Sequence, residues 1–311
     1  MEKVVNSIIN SSSIAILTHE KPDGDAIGSA TSLYISLKRL GKDVDLIIPE
    51  YPRVFNYLES LKESVTDSLK DYDLVITVDC AQVSRIGQIS DIFSHGKTKL
   101  VIDHHASNNN YGDINLIKMT SSCCQIIFDV ILALNVDIDK NIGNALITGV
   151  LTDTGGFKNS DVDKKTFEIA GYLYDRKTEI SKVYTTLMQT KSKARFELYK
   201  MAINRLELYY NDKIAFTYIS KEDIDNVGAV FGDHEGLVDI GKEVEGVEVS
   251  IFLREEEDCY KISLRSNDYV DVCKIAMTFG GGGHTKAAGC NINLPFSKAK
   301  EAIIEEVGKY I

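Results

Sequence analysis

Long apolar runs, basic clusters and paired cysteines are all missing from this 311-residue chain. No stretch approaches the ~20 consecutive apolar residues that span a bilayer. Residues Met1 to Asn6 carry neither the basic region nor the apolar stretch of a signal peptide. The expectation is a cytoplasmic protein with no membrane partner. Cys80, Cys123, Cys124, Cys259, Cys273 and Cys290 show no C-x-x-C spacing, so neither a disulfide framework nor a thiolate zinc site has anything to build on. The formal net charge is −11, and no run of Lys or Arg interrupts it. Proteins that grip long nucleic acid neutralise many phosphates and need a basic surface, so that class is excluded. One or two phosphates of a small nucleotide could still be held by a local positive site. Internal repeats and low-complexity tracts are absent as well.

What is present is the alternation of an α/β protein. At this length two domains are expected. Short apolar runs at 14–17, 44–48, 74–78 and 100–102 read as strands of a mostly parallel sheet, separated by amphipathic helical stretches. Ala26, Ile27, Ala30, Leu33, Leu37 and Leu40 lie on one helical face, with Gly41 as the stop. Ser121 and Ser122 precede a second helical pattern as capping candidates, and a third runs from about Lys140 to Leu151. We divide the chain into residues 1–187, a helical linker over 188–207, and a smaller α/β domain over 208–311. Strand-like runs at 214–219, 247–252 and 260–264 and a final helix from about Ser297 to Lys309 fall in the last part.

Three of the first-domain strands run into side chains that bind metal. The first leads to His19, the third to Asp79, and the fourth to Asp103-His104-His105. In open α/β sheets the functional crevice lies beyond the carboxyl ends of the strands. The turn Lys21-Pro22-Asp23-Gly24-Asp25 adds two carboxylates, although Asp25 could equally serve only to cap the helix that starts at Ala26. Asp153 follows the apolar stretch 147–151. Asp23, Asp25, Asp79 and Asp153 together balance two divalent cations, and an oxygen-rich set with imidazole suits Mn²⁺ or Mg²⁺. Two such ions ~3.5–4 Å apart activate water and stabilise an in-line displacement at phosphorus. Asp79 or Asp153 is the natural carboxylate to share between them. Farther on, Gly280-Gly281-Gly282-Gly283-His284-Thr285-Lys286 removes side chains and adds positive donors, which suits an anion. Arg265 offers a planar fork to phosphate oxygens.

His19-x-x-x-Asp23-x-Asp25, Val78-Asp79, Asp103-His104-His105, Asp153 and Gly281-Gly282-Gly283-His284 occur in the order shown by the DHH phosphoesterase family. The chain resembles that family over nearly its whole length, and is most similar to its bacterial nanoRNase type. The resemblance implies a DHH domain and a DHH-associated domain with the active site in the cleft between them. It implies a Mn²⁺-dependent enzyme, two ions per site with Mg²⁺ as the alternative. One ion would be held by His19, Asp23, Asp79 and Asp153, the other by Asp25, Asp79, His104 and Asp153. Asp103 would orient an imidazole, and His105 would face the scissile phosphate. Arg265, His284 and the amides of Gly281, Gly282 and Gly283 would bind the rest of the substrate. Substrates implied are short oligoribonucleotides, 3′-phosphoadenosine 5′-phosphate, or linear or cyclic dinucleotides. The alternatives are a cyclic-dinucleotide phosphodiesterase or a nucleotide sensor without catalysis. A homodimer is the commonest form for such a protein.

Overall fold

The computed structural model describes residues 1–159, 161–230 and 232–311, which form two units, Met1–Thr190 and Lys191–Ile311. Among the described residues no helix is long and apolar enough to cross a membrane.

The first unit runs α1 (Glu2–Asn10), β1 (Ser13–Leu17), α2 (Gly24–Arg39), β2 (Asp43–Ile47), β3 (Leu74–Val78), α3 (Ser90–His95), β4 (Thr98–Asp103), β5 (Ile114–Ile117), α4 (Cys123–Ala133), α5 (Lys140–Asp153), α6 (Lys164–Asp175) and α7 (Ile180–Tyr184). Its five strands form one parallel sheet in the order β2-β1-β3-β4-β5. Alternate residues of the inner strands feed two different cores, which is why they read as unbroken apolar runs. Ile14, Ile16, Ile76, Leu100 and Ile102 pack with α2, α4 and α5. Ala15, Leu17, Val75 and Val101 pack on the opposite side with Ile86, Ile89, Ile92 and Phe93.

In the second unit come α8 (Lys193–Asn204), β6 (Glu207–Tyr209), β7 (Ile214–Ile219), α9 (Lys221–Val227), α10 (Asp239–Lys242), β8 (Val249–Glu255), β9 (Tyr260–Ser266), α11 (Val272–Thr278), β10 (Gly282–His284), β11 (Ala287–Ile292) and α12 (Phe296–Gly308). They build a mixed sheet ordered β10-β11-β9-β8-β7-β6. Here the structure differs from the expected linker over 188–207. Helix α8 is part of the second unit, because Leu198 and Ala202 are buried against Ile219, Leu237, Ile240 and Phe252. Lys193 and Lys200 of the same helix are exposed.

Candidate functional site

Between β1 and β3 the order of the parallel sheet reverses, since β2 lies on one side of β1 and β3 on the other. Crevices for ligands open at such points, beyond the carboxyl ends of the strands. His19 follows β1 there, Asp79 follows β3, and Asp103 closes β4. At Asp79 the backbone has φ of 53°, and its N–H donates to the Ile102 carbonyl at 3.0 Å. A side chain in this left-handed region is strained, and Asp tolerates it better than most.

Helices deliver the other acids. Asp23, not Asp25, caps α2: its Oδ1 accepts from the backbone N–H groups of Asp25 and Ala26 at 3.0 and 3.1 Å. Asp25 is thereby released to reach across to α4, where the N–H groups of Cys123 and Cys124 donate to its two carboxylate oxygens. The cap expected from Ser122 does not form. A carboxylate at a helix N-terminus is favoured by the aligned backbone dipoles. The crossing of α2 and α5 depends on Gly149, where an added Cβ would lie 2.4 Å from Asp25 Oδ1 and 2.3 Å from Cys124 Sγ. Asp153 ends α5 on the same side.

These side chains converge into three overlapping groups: His19 with Asp23 and Asp79; Asp79 with His104 and His105; Asp25 with His104 and Asp153. Within each, the potential ligand atoms lie within 4.8 Å of one another. His104 Nε2 is 3.4 Å from Asp79 Oδ1, 3.4 Å from Asp153 Oδ2 and 3.8 Å from Asp25 Oδ2. Its Nδ1 faces the Thr120 carbonyl at 2.9 Å, an acceptor that places the proton on Nδ1 and the lone pair on Nε2. His19 Nε2 stands 4.0 Å from Asp23 Oδ2. Asp79 is 2% exposed, and its Oδ1 has no hydrogen-bond partner among the described residues.

So much acid in one buried place cannot stay ionised. Burial and the neighbouring Asp25 push Asp79 well above the carboxylate range. Burial and Asp25 likewise raise Asp153, to about 8. Burial alone would lower His104, but Asp79, Asp25 and Asp153 overcome it and raise that imidazole to about 11. Burial lowers His19. An orphaned carboxylate oxygen among protons held above neutrality fits a site built for divalent cations, which displace those protons. At pH 7, loading the metal-free protein should therefore release at least one proton per chain. Apparent affinity should rise with pH through about 8, as Asp153 stops holding its proton. An indicator dye in weak buffer measures the release, and loading without it would contradict this electrostatic account.

Asp103 belongs to none of the three groups. Its Oδ1 accepts from His105 Nδ1 at 2.8 Å and its Oδ2 from Asn108 Nδ2 at 2.6 Å. Burial would raise this carboxyl, but those two hydrogen bonds, the nearby His105 ring and the His104 N–H together outweigh it and hold it below the usual range. Asn108 also reaches the Cys80 carbonyl at 3.3 Å, and Tyr111 Oη donates to the same carbonyl at 2.8 Å. The sequence offered no signal for Asn108 or Tyr111, because a loop position gains its role only from where the loop folds back.

In the second unit, strand register places His284 opposite Ala287, Ala287 opposite Arg265, and Arg265 opposite Ser250. Residues so paired share one face of a sheet, so Arg265 and His284 lie on the same face. Arg265 Nε is 3.9 Å from Asp239 Oδ1. The expected glycine loop is partly a strand. Gly281 is glycine because a Cβ would stand 2.2 Å from the Gly289 carbonyl, and Gly283 adjoins β11 in the same way. Gly282 meets nothing within 4 Å, so packing does not explain that residue. Lys286 Nζ bonds the Asp268 carbonyl.

Acid and imidazole gathered at the carboxyl ends of a parallel sheet define a metal-dependent α/β protein. The DHH family N-terminal domain matches residues 13–150, and the DHHA1 domain matches residues 211–311. The bifunctional oligoribonuclease and PAP phosphatase NrnA of Thermus thermophilus is 30% identical over 299 residues, 94% of this chain and 89% of that protein. Its namesake from Bacillus subtilis is 25% identical over 295 residues, 93% and 92% of the two chains. An exopolyphosphatase-related protein of known structure from Bacteroides fragilis superposes with a TM-score of 0.93 at 27% identity, over 99% of this chain and 95% of the other. The chain belongs to the DHH family.

Proposed function

We propose that this phosphoester hydrolase cleaves short oligoribonucleotides to mononucleotides and 3′-phosphoadenosine 5′-phosphate to AMP, with two Mn²⁺ ions per site. The observation that carries the reading is the buried Asp79 oxygen that makes no hydrogen bond among the described residues and stands between two groups of potential ligands. The substrates follow from the names of the relatives, which share almost the whole chain. His19, Asp23, Asp79 and Asp153 would hold one ion; Asp25, Asp79, His104 and Asp153 would hold the other. Bound there, the ions supply Lewis acidity toward phosphate oxygens and lower the pKa of water.

The protein's own groups do the positioning and the proton handling. The hydrogen bond between Asp103 and His105 Nδ1 fixes that ring. His105 then donates through Nε2 to the phosphate or to the departing 3′-oxygen. The carbonyl of Thr120 keeps His104 from turning. Arg265, His284 and the backbone amides of Gly281, Gly282 and Gly283 take a second phosphate or the sugar. A few forked contacts suffice for a short substrate, which reconciles an anionic ligand with a chain of net charge −11.

The test gives the Mn²⁺-loaded protein a 5′-phosphorylated diribonucleotide, 3′-phosphoadenosine 5′-phosphate and a cyclic dinucleotide in parallel. Mononucleotides from the first and AMP with phosphate from the second are expected, each faster than the cyclic substrate is opened. Turnover of the cyclic substrate alone, or of none, would overturn the substrate assignment.

A further inference from the structure

The turn after Asp153 adopts a backbone that its sequence makes costly. Gly155, Gly156 and Phe157 have φ of 58°, 74° and 69° in succession. Glycine enters that region freely, whereas a bulky L residue is strained there. Hydrogen bonds tie the turn to the end of α5. Gly156 N–H donates to the Leu151 carbonyl at 2.7 Å, Phe157 N–H to Thr154 Oγ1 at 3.0 Å, and Asn159 Nδ2 to the Asp153 carbonyl at 2.8 Å. Phe157 is thus fixed four residues beyond a proposed metal ligand. Even a fully extended chain of that length spans at most ~14 Å, and a folded turn spans less.

The ring of Phe157 is half-buried against the core and stacks on Phe167, with centroids 5.5 Å apart and planes inclined by 23°. Phe167 stands in the first turn of α6, which is anchored by a capping box between Asp163 and Thr166. Thr166 in turn accepts from Gln125 Nε2 at 2.8 Å. Yet Phe167 itself is 58% exposed. The pair sets an exposed aromatic ring on two anchored elements, one of them the turn that follows Asp153.

We propose that Phe157 and Phe167 form a stacking platform for a nucleobase of the substrate, next to the phosphate being cleaved. The inference rests on the nucleotide-hydrolysing reading above and adds what that reading lacks, a contact to the base in the first unit. Stacking accepts any base, because each has a π face. The hydrogen-bonded turn at 155–157 sets the Phe157 ring within that short chain distance of Asp153.

The experiment compares wild type, Phe167→Ala and Phe167→Trp on a 5′-phosphorylated diadenylate and on the same compound with both bases replaced by hydrogen. Phe167→Ala should raise KM for the diadenylate about tenfold, and Phe167→Trp should restore it to within about twofold. KM for the baseless compound should move by less than about twofold in both variants. Equal effects on the two substrates would assign Phe167 a structural role, and no effect on either would remove the platform. Should wild type cleave neither, the hydrolytic reading fails instead. The platform is then read by fluorescence of a 2-aminopurine dinucleotide, quenched by wild type and not by Phe167→Ala; absence of quenching by wild type would overturn it.

Discussion

Replacing Asp79 with asparagine should abolish turnover, by about a thousandfold or more, while leaving the fold intact. The magnitude corresponds to the several kcal/mol of charge stabilisation that a bound metal gives a transition state at phosphorus. Asp79 is the carboxylate that falls in two of the three ligand groups, and its Oδ1 makes no hydrogen bond among the described residues. Asparagine is the informative change because it tolerates the φ of 53° that the position demands. It also mimics the protonated acid that burial and Asp25 already enforce without metal. Linkage gives the sign. A carboxyl whose folded pKa is raised binds more protons folded than unfolded, so its presence makes stability fall as pH rises above the ordinary carboxylate value. Metal-free Asp79→Asn should therefore match wild type in thermal unfolding at low pH and exceed it under alkaline conditions. Unfolding at lower temperature throughout would mean that Asp79 is structural.

His105→Ala should lower kcat by roughly a hundredfold to a thousandfold, the usual worth of a positioned proton donor, with bound metal unchanged. Its Nδ1 lies 2.8 Å from Asp103 Oδ1 and 3.6 Å from Asp79 Oδ1, so two roles are open to the ring. A donor to substrate leaves the metal count at its wild-type value when removed. A ligand takes an ion with it. Asp103→Asn separates the cases further: losing a partner that orients the imidazole costs about 10–100-fold, less than losing the ring. If Asp103→Asn matched His105→Ala in kcat and both lost metal, His105 would belong to the ligand set.

Much of this was legible in the chain because three strands announce themselves as unbroken apolar runs and each stops at a histidine or an aspartate, residue types that suit a metal. Their adjacency was not legible. Nothing local says that β1, β3 and β4 are neighbours, which is the fact that brings His19, Asp79 and His104 together. The strand β5 escaped notice because it is an edge, four residues long and half-exposed, with Asn115 in its middle. Asp25 was ambiguous between helix cap and ligand because spacing fits both. The resolution lies a hundred residues away, at the N–H groups of Cys123 and Cys124. The glycine run looks uniform in sequence, yet Gly281 and Gly283 answer to a neighbouring strand and Gly282 does not. Phe157 gave no sign at all. Its interest comes from a backbone angle and a stacked ring, neither of which is written in composition or periodicity.

Two-metal hydrolysis is tested most directly by titrating metal-stripped protein with Mn²⁺ while following both bound metal and hydrolysis of a 5′-phosphorylated diribonucleotide. No turnover is expected before metal is added, with two ions bound per chain at saturation and mononucleotide release that grows with the second ion. Full turnover in the presence of chelator, or saturation without any release of product, would contradict it.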